Sequence, residues 1–177
     1  MLNQRSNDQV LEPLYSELFT NLEHLVKVYR SLLDTVRREK EILVASKLEE
    51  LNENNKSKDA ILLRTRSLET ARLKCSRDLA AAIGADVESP RLLDIANKSD
   101  LQWQDRLRNM HSVLELLVRR VSEVNRQNEE LVQAALSTIT GAMNEIRDGL
   151  KPKATYGQQG QIAEGKATGG NLVRKEA

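Results

Sequence analysis

The chain has 177 residues, 40% of them hydrophobic but only 3% aromatic, so Leu, Val, Ile and Ala must fill any interior; that suits one domain of layered helices and disfavours a deep catalytic pocket. Residues 149–177 hold Lys151, Lys153, Lys166, Arg174 and Lys175 against Glu164 and Glu176, and subtracting this surplus of three from the net +1 leaves the rest of the chain at −2. Such a balance excludes a broad electrostatic footprint for nucleic acid. Cys75 is the only cysteine, so no internal disulfide forms, and no stretch approaches the roughly 20 apolar residues that cross a bilayer. The N-terminal MLNQRSNDQVLEPL lacks the apolar run of a secretory signal, which makes a cytoplasmic protein the expectation.

In chain order, residues 1–8 are expected to fray. A first helix is predicted from Gln9–Pro13 to about Ser46, on the series Leu11, Tyr15, Leu18, Leu22, Leu25, Tyr29, Leu32, Val36 and Leu43, with one polar skip at Glu39. Proline is tolerated in a first helical turn. A tight reversal at residues 45–48 follows, with Ser46 as the cap of a second helix and Glu49 as its reciprocal partner. That helix runs from Leu48 to Ile83. Its centre, ENNKSKD, is polar, with its apolar face interrupted at Asn55 and Lys58, and should pack less intimately over residues 52–59. The apolar positions resume with Ile61, Leu62, Leu68, Leu73, Leu79 and Ile83. Gly84 ends it.

Ser89 as cap and Pro90 at the first position open a short helix, RLLDIA, that can fold its leucines over the bundle end. Ser99 or Asp100 then starts the last helix, which Gly149 and Pro152 terminate, giving about 48 residues and about 72 Å. Its ladder reads Trp103, Leu107, Met110, Leu114, Leu117, Val121, Val124, Asn128, Leu131, Ala135, Ile139, Ala142 and Ile146. Sustained three- and four-residue spacing is the pattern of helices packed side by side at shallow angles. The fold class is therefore all-α: an elongated antiparallel helical bundle or coiled coil of three long helices and one short one. Residues 1–148 form this domain. Residues 149–177, with six of the eight glycines, form a tail expected to be disordered.

No residues assemble into a recognisable catalytic set. His24 and His111 are the only histidines and flank apolar positions; with one cysteine they cannot supply a conventional zinc site, and no HExxH or CxxC spacing occurs. Glu39/Glu41 and Glu129/Glu130 are carboxylate pairs of the kind exposed helices carry by default. Gly160 to Lys166 approaches a phosphate-loop spacing, but Ala167 replaces the hydroxyl residue and neither a strand nor a helix flanks it. The clusters Arg37/Arg38/Lys40 and Arg119/Arg120 adjoin glutamates, with no aromatic interleaving to read bases. No cofactor is expected.

The final helix is more informative. Asn125 and Asn128 weaken its ladder, and a buried asparagine is costly unless hydrogen-bonded, so either Asn128 fixes register or this region is exposed. Beyond it stand Leu131, Ala135, Ile139, Ala142, Met143 and Ile146. If the first two helices turn back near residue 46, the last can outrun them and present these residues to a partner helix. Intramolecular core and a homodimer seam are the alternatives.

The order of LLDTVRREKEILVASKLEELNENNKSKDAIL, SPRLLDIA, LLVRRVSEVNRQNEELVQAAL and a late YGQQG before a basic C-terminus resembles the FlgN family of flagellar type III export chaperones. The resemblance implies a non-enzymatic cytoplasmic chaperone. Its partners would be the hook–filament junction proteins FlgK and FlgL, whose helical C-terminal regions it holds and delivers to the export apparatus. It places substrate binding at the end of the last helix, on Leu131, Ala135, Ile139, Ala142, Met143 and Ile146. It also implies docking to the export gate FlhA and the escort FliJ, with Tyr156, Gly157 and Gly160 matching the family's tail motif. Apart from the resemblance, a structural coiled coil or a helical adaptor of another secretion system fits the same pattern.

Overall fold

The computed structural model describes residues 2–150, and side chains from Leu11 onward with the exception of Leu48. The expected tail lies outside these residues. Four helices follow in order: α1 (Leu2–Val44), α2 (Leu48–Ile83), α3 (Leu92–Lys98) and α4 (Leu101–Gly149). The chain divides after Val132 into two units. In the first, α1 and α2 form an antiparallel hairpin, and the first part of α4 lies against both.

α1 starts earlier than expected, at Leu2, which puts Pro13 inside the helix rather than in its first turn. The missing N–H removes one hydrogen bond. No glycine interrupts residues 2–12, so local propensity carries the helix past the flaw.

The reversal falls where the sequence puts it, but its mechanism differs. Ser46 is not the cap of α2: its φ is 55°, left-handed, whereas a helix N-cap needs extended backbone. It instead closes the end of α1, with the Lys47 amide donating to the Ile42 carbonyl and the Ser46 amide to that of Leu43, each at 3.1 Å. This pair of bonds is the usual helix C-terminal lock, built here without its usual glycine. α2 begins with Lys47 as its cap residue and no side-chain capping bond, and Glu49 and Glu50 supply the negative charge that its first turn favours. Glu50 receives hydrogen bonds from Arg38 (2.6 Å) and Lys47 (2.8 Å), tying the two helices across the turn.

At its far end α2 stops at Gly84, whose φ of 68° suits a residue without a Cβ. The Ala85 amide donates to the Ala80 carbonyl at 2.8 Å, and the Lys98 ammonium donates to the Gly84 carbonyl. α3 begins two residues later than Ser89–Pro90 predicts. Asp86 Oδ1 accepts the amides of Glu88 (2.9 Å) and Ser89 (3.2 Å), holding that segment as a turn, so Arg91 becomes the cap residue. Leu92, Ile95 and Ala96 are buried in the core while Leu93 faces solvent.

The main cluster joins Tyr15, Leu18, Leu22 and Leu25 of α1 to Cys75, Leu79 and Ala80 of α2, with Trp103 and Leu107 of α4. A second cluster, Leu32, Leu33 and Val36, packs on Ile61, Leu117, Val121 and Val124. As its polar centre implies, α2 has no fully buried residue from Glu49 to Arg64, and Leu62 faces outward.

Candidate functional site

Residues on three helices decide how α4 is held. At its start, Asp100 Oδ1 accepts the Trp103 amide at 2.9 Å, the expected cap. The Trp103 indole stacks on Tyr15 with ring centroids 5.1 Å apart and meets Phe19 edge-on at 5.9 Å. Its Nε1 donates to Glu12 Oε2 at 3.0 Å, and the Arg106 guanidinium lies over both Trp103 (4.0 Å) and Phe19 (4.2 Å). Burial raises the Tyr15 phenol above its ordinary value, although its hydrogen bond to Ser99 opposes the shift.

Twenty-five residues along, Asn128 is buried, and its Nδ2 donates to the Val36 carbonyl (2.9 Å) and Glu39 Oε2 (3.1 Å). The same Glu39 oxygen accepts Lys58 Nζ at 2.7 Å, and Lys58 also donates to Asn125 Oδ1 at 3.0 Å. Beside them Lys40 donates to Gln127 Oε1 at 2.7 Å. The polar skip in α1, the polar centre of α2 and the asparagines of α4 are thus one layer. The buried Asn128 amide, paired to a backbone carbonyl of α1, favours this register of α4 over ones that would leave it unpaired. The Glu12–Trp103 and Val36–Asn128 contacts join residues 91 and 92 positions apart, so α4 runs parallel to α1 with a constant offset.

These contacts hold α4 as far as Asn128, within the first unit. From Val132 to Leu150 every residue is exposed. Ile139, Met143 and Ile146 are 57%, 66% and 65% exposed; Ala135 and Ala142 are exposed beside them, and Leu131 is half-buried. Val132, Leu136 and Leu150 belong to the same ridge and are absent from the ladder drawn on the sequence. Their signal was the run Asn128–Val132–Leu136 in four-residue steps, which turns the strong apolar face by one position from Leu131 and Ala135. No charged side chain occurs from Leu131 to Asn144, whereas Arg119, Glu123, Arg126 and Glu130 stud the preceding turns. Large exposed apolar ridges of this kind mark places where another chain binds. Tyr156, Gly157 and Gly160 lie outside the described residues.

Elsewhere the histidines and the cysteine are dispersed. His24 is exposed, His111 Nδ1 lies 4.0 Å from Glu115 Oε2, and burial together with Glu17 raises the Cys75 thiol above its ordinary value. Among the described residues no group of three or more His, Cys, Asp or Glu could hold a metal ion, and no helix is long and apolar enough to cross a membrane.

Among the described residues the fold is an all-α helical bundle with an exposed apolar ridge, the kind of surface on which helical proteins bind other chains. The FlgN protein family model matches residues 14–164, and the chain belongs to the FlgN family. It is accordingly a non-catalytic chaperone of flagellar export. No curated protein and no solved structure matches it.

Proposed function

We propose that the exposed end of α4 binds the helical C-terminal regions of the hook–filament junction proteins FlgK and FlgL in the cytoplasm. Leu131, Ala135, Ile139, Ala142, Met143 and Ile146, joined by Val132, Leu136 and Leu150, form the binding surface. Bound there, the segments are kept from premature association until delivery to the flagellar type III export apparatus. Tyr156, Gly157 and Gly160 then dock on the export gate FlhA, and the escort FliJ takes part in transfer.

The observation that carries this reading is the exposure of Ile139, Met143 and Ile146 on an otherwise regular helix. Full burial of one such side chain contributes about 1.5–3 kcal/mol. Ordering a disordered segment costs about 2–5 kcal/mol or more, which keeps the complex releasable.

A titration of the protein with the isolated C-terminal segments of FlgK and FlgL, with an I139D/I146D variant alongside, tests the reading. Saturable 1:1 binding that the variant loses supports it. Absence of binding to both segments rejects it and leaves a structural coiled coil or an adaptor of another secretion system.

A further inference from the structure

The earlier part of the α4 ladder is covered by two helices, not one. Val121 and Val124 pack on the α1 cluster Leu32, Leu33 and Val36, on which Ile61 of α2 also packs; Lys58 of α2 donates to Asn125 of α4, and Leu79 and Ala80 of α2 share a core with Trp103 and Leu107. Both covering helices end together, because the reversal at Ala45–Lys47 joins the last turn of one to the first turn of the other. The ladder itself continues to Leu150.

We propose that this continuation receives a helical hairpin from one partner chain, two antiparallel amphipathic helices that cover α4 as α1 and α2 cover its earlier turns. The proposal rests on the partner-binding reading above and specifies the shape and chemistry of the occupant. Width is the first argument. At about 100° per residue, the apolar and small side chains between Thr138 at one edge and Leu136 at the other span an arc of about 160°. The seam of a two-stranded coiled coil is much narrower, whereas a helix serving a bundle core needs a stripe of about 100° or more.

The two sides of that arc also differ. Ala135 and Ala142 leave room for one arm to approach closely, while Leu136 and Met143 offer a tall ridge to the other. Neither side carries a charge before Glu145, so the arms that fit are apolar with uncharged polar borders. The chain's own residues 151–177 cannot supply them: their large apolar residues are Tyr156, Ile162, Leu172 and Val173, without three- or four-residue spacing. Residues 131–150 rise about 29 Å, so each arm is about 20 residues long.

The test uses the full chain with 13C-labelled C-terminal segments of FlgK and FlgL, whose Cα shifts count the segment residues that become helical on binding. A 1:1 complex with about 40 helical residues is expected, with a Kd that changes less than about twofold between low and high salt. An A135F/A142F variant fills the low side with apolar bulk at exposed positions, so its thermal unfolding should match the parent. It should bind at least tenfold more weakly, with the helical count falling to about half. If about 20 residues become helical and the variant binds as well as the parent, the groove takes a single helix and the hairpin is wrong while the partner-binding reading survives. A two-to-two assembly in which the segment stays unstructured assigns the ridge to a second copy and overturns the proposal. Binding of neither segment removes both readings.

Discussion

α4 carries one apolar ladder in two environments. Through Trp103, Leu107 and Asn128 it is buried against α1 and α2; from Val132 to Leu150 the same kind of residue stands in solvent. Hydrophobic spacing says that a helix can bury a face, but not which chain will cover it. α1 ends and α2 begins at the reversal of residues 45–47, and both belong to the first unit, whereas the exposed residues beyond Val132 belong to the second.

The strongest way to sharpen this contrast is a matched pair of substitutions. Trp103→Ala removes the stacked indole, its bond to Glu12 and the cation contact of Arg106, and should cost about 3–5 kcal/mol in urea unfolding. Ile139→Asp lies on the exposed ridge and should change stability by less than about 0.5 kcal/mol while weakening partner binding at least tenfold. Comparable losses of stability in both variants would mean that residues beyond Val132 are covered within the folded chain.

Next in size is the polar layer. Lys58→Ala leaves the Glu39 carboxylate, mostly shielded from water, with only the Asn128 amide as partner, and should cost about 2 kcal/mol. Asn128→Leu removes a buried amide whose own Oδ1 has no partner. Its stability should change by less than about 1 kcal/mol, but the register contact to Val36 is gone. A distance probe between α1 and α4 should then broaden relative to the parent; an unchanged distribution would show that apolar packing alone sets the register.

Much of this architecture was legible. Leu48 and Ile83 bound α2, Gly84 ends it and Asp100 caps α4, because each of these depends on local chemistry. The polar layer was visible only as three separate interruptions, at Glu39, Lys58 and Asn125/Asn128; nothing local says that residues 67 and 89 positions apart share one plane. The exact face of the exposed ridge was ambiguous for a different reason. Leu131 and Val132 are both apolar, as are Ala135 and Leu136, so two ladders one residue apart satisfy the same spacing. The turn chemistry misled at Ser46, since serine followed by glutamate three residues on reads as a cap, while the αL position that it fills is normally assigned to glycine.

That misfit gives a smaller prediction. Ser46→Gly should stabilise the hairpin by up to about 1 kcal/mol, the approximate cost of left-handed backbone for a residue with a Cβ. Equilibrium unfolding of the two proteins measures it. A destabilised glycine variant would mean that the serine side chain contributes more at the reversal than its backbone costs.

The smallest expected effect lies at the same turn. Hydrogen bonding to Lys47, then the charges of Lys47 and Arg38, holds the Glu50 carboxyl below its ordinary value of 4.5. A carboxyl depressed in the folded state contributes stability that is present above its unfolded value and is lost as the pH falls through the folded one. Glu50 lies at the surface and its ion pairs are screened by solvent, so the loss is small and confined to acid below about pH 4.5. Glu50→Gln should therefore match the parent most closely in strong acid and differ from it by a small, salt-sensitive amount at neutral pH. If the difference instead grows as the pH falls, the ion pairs across the turn are not what Glu50 contributes, and the reversal is held by its backbone lock at Ser46.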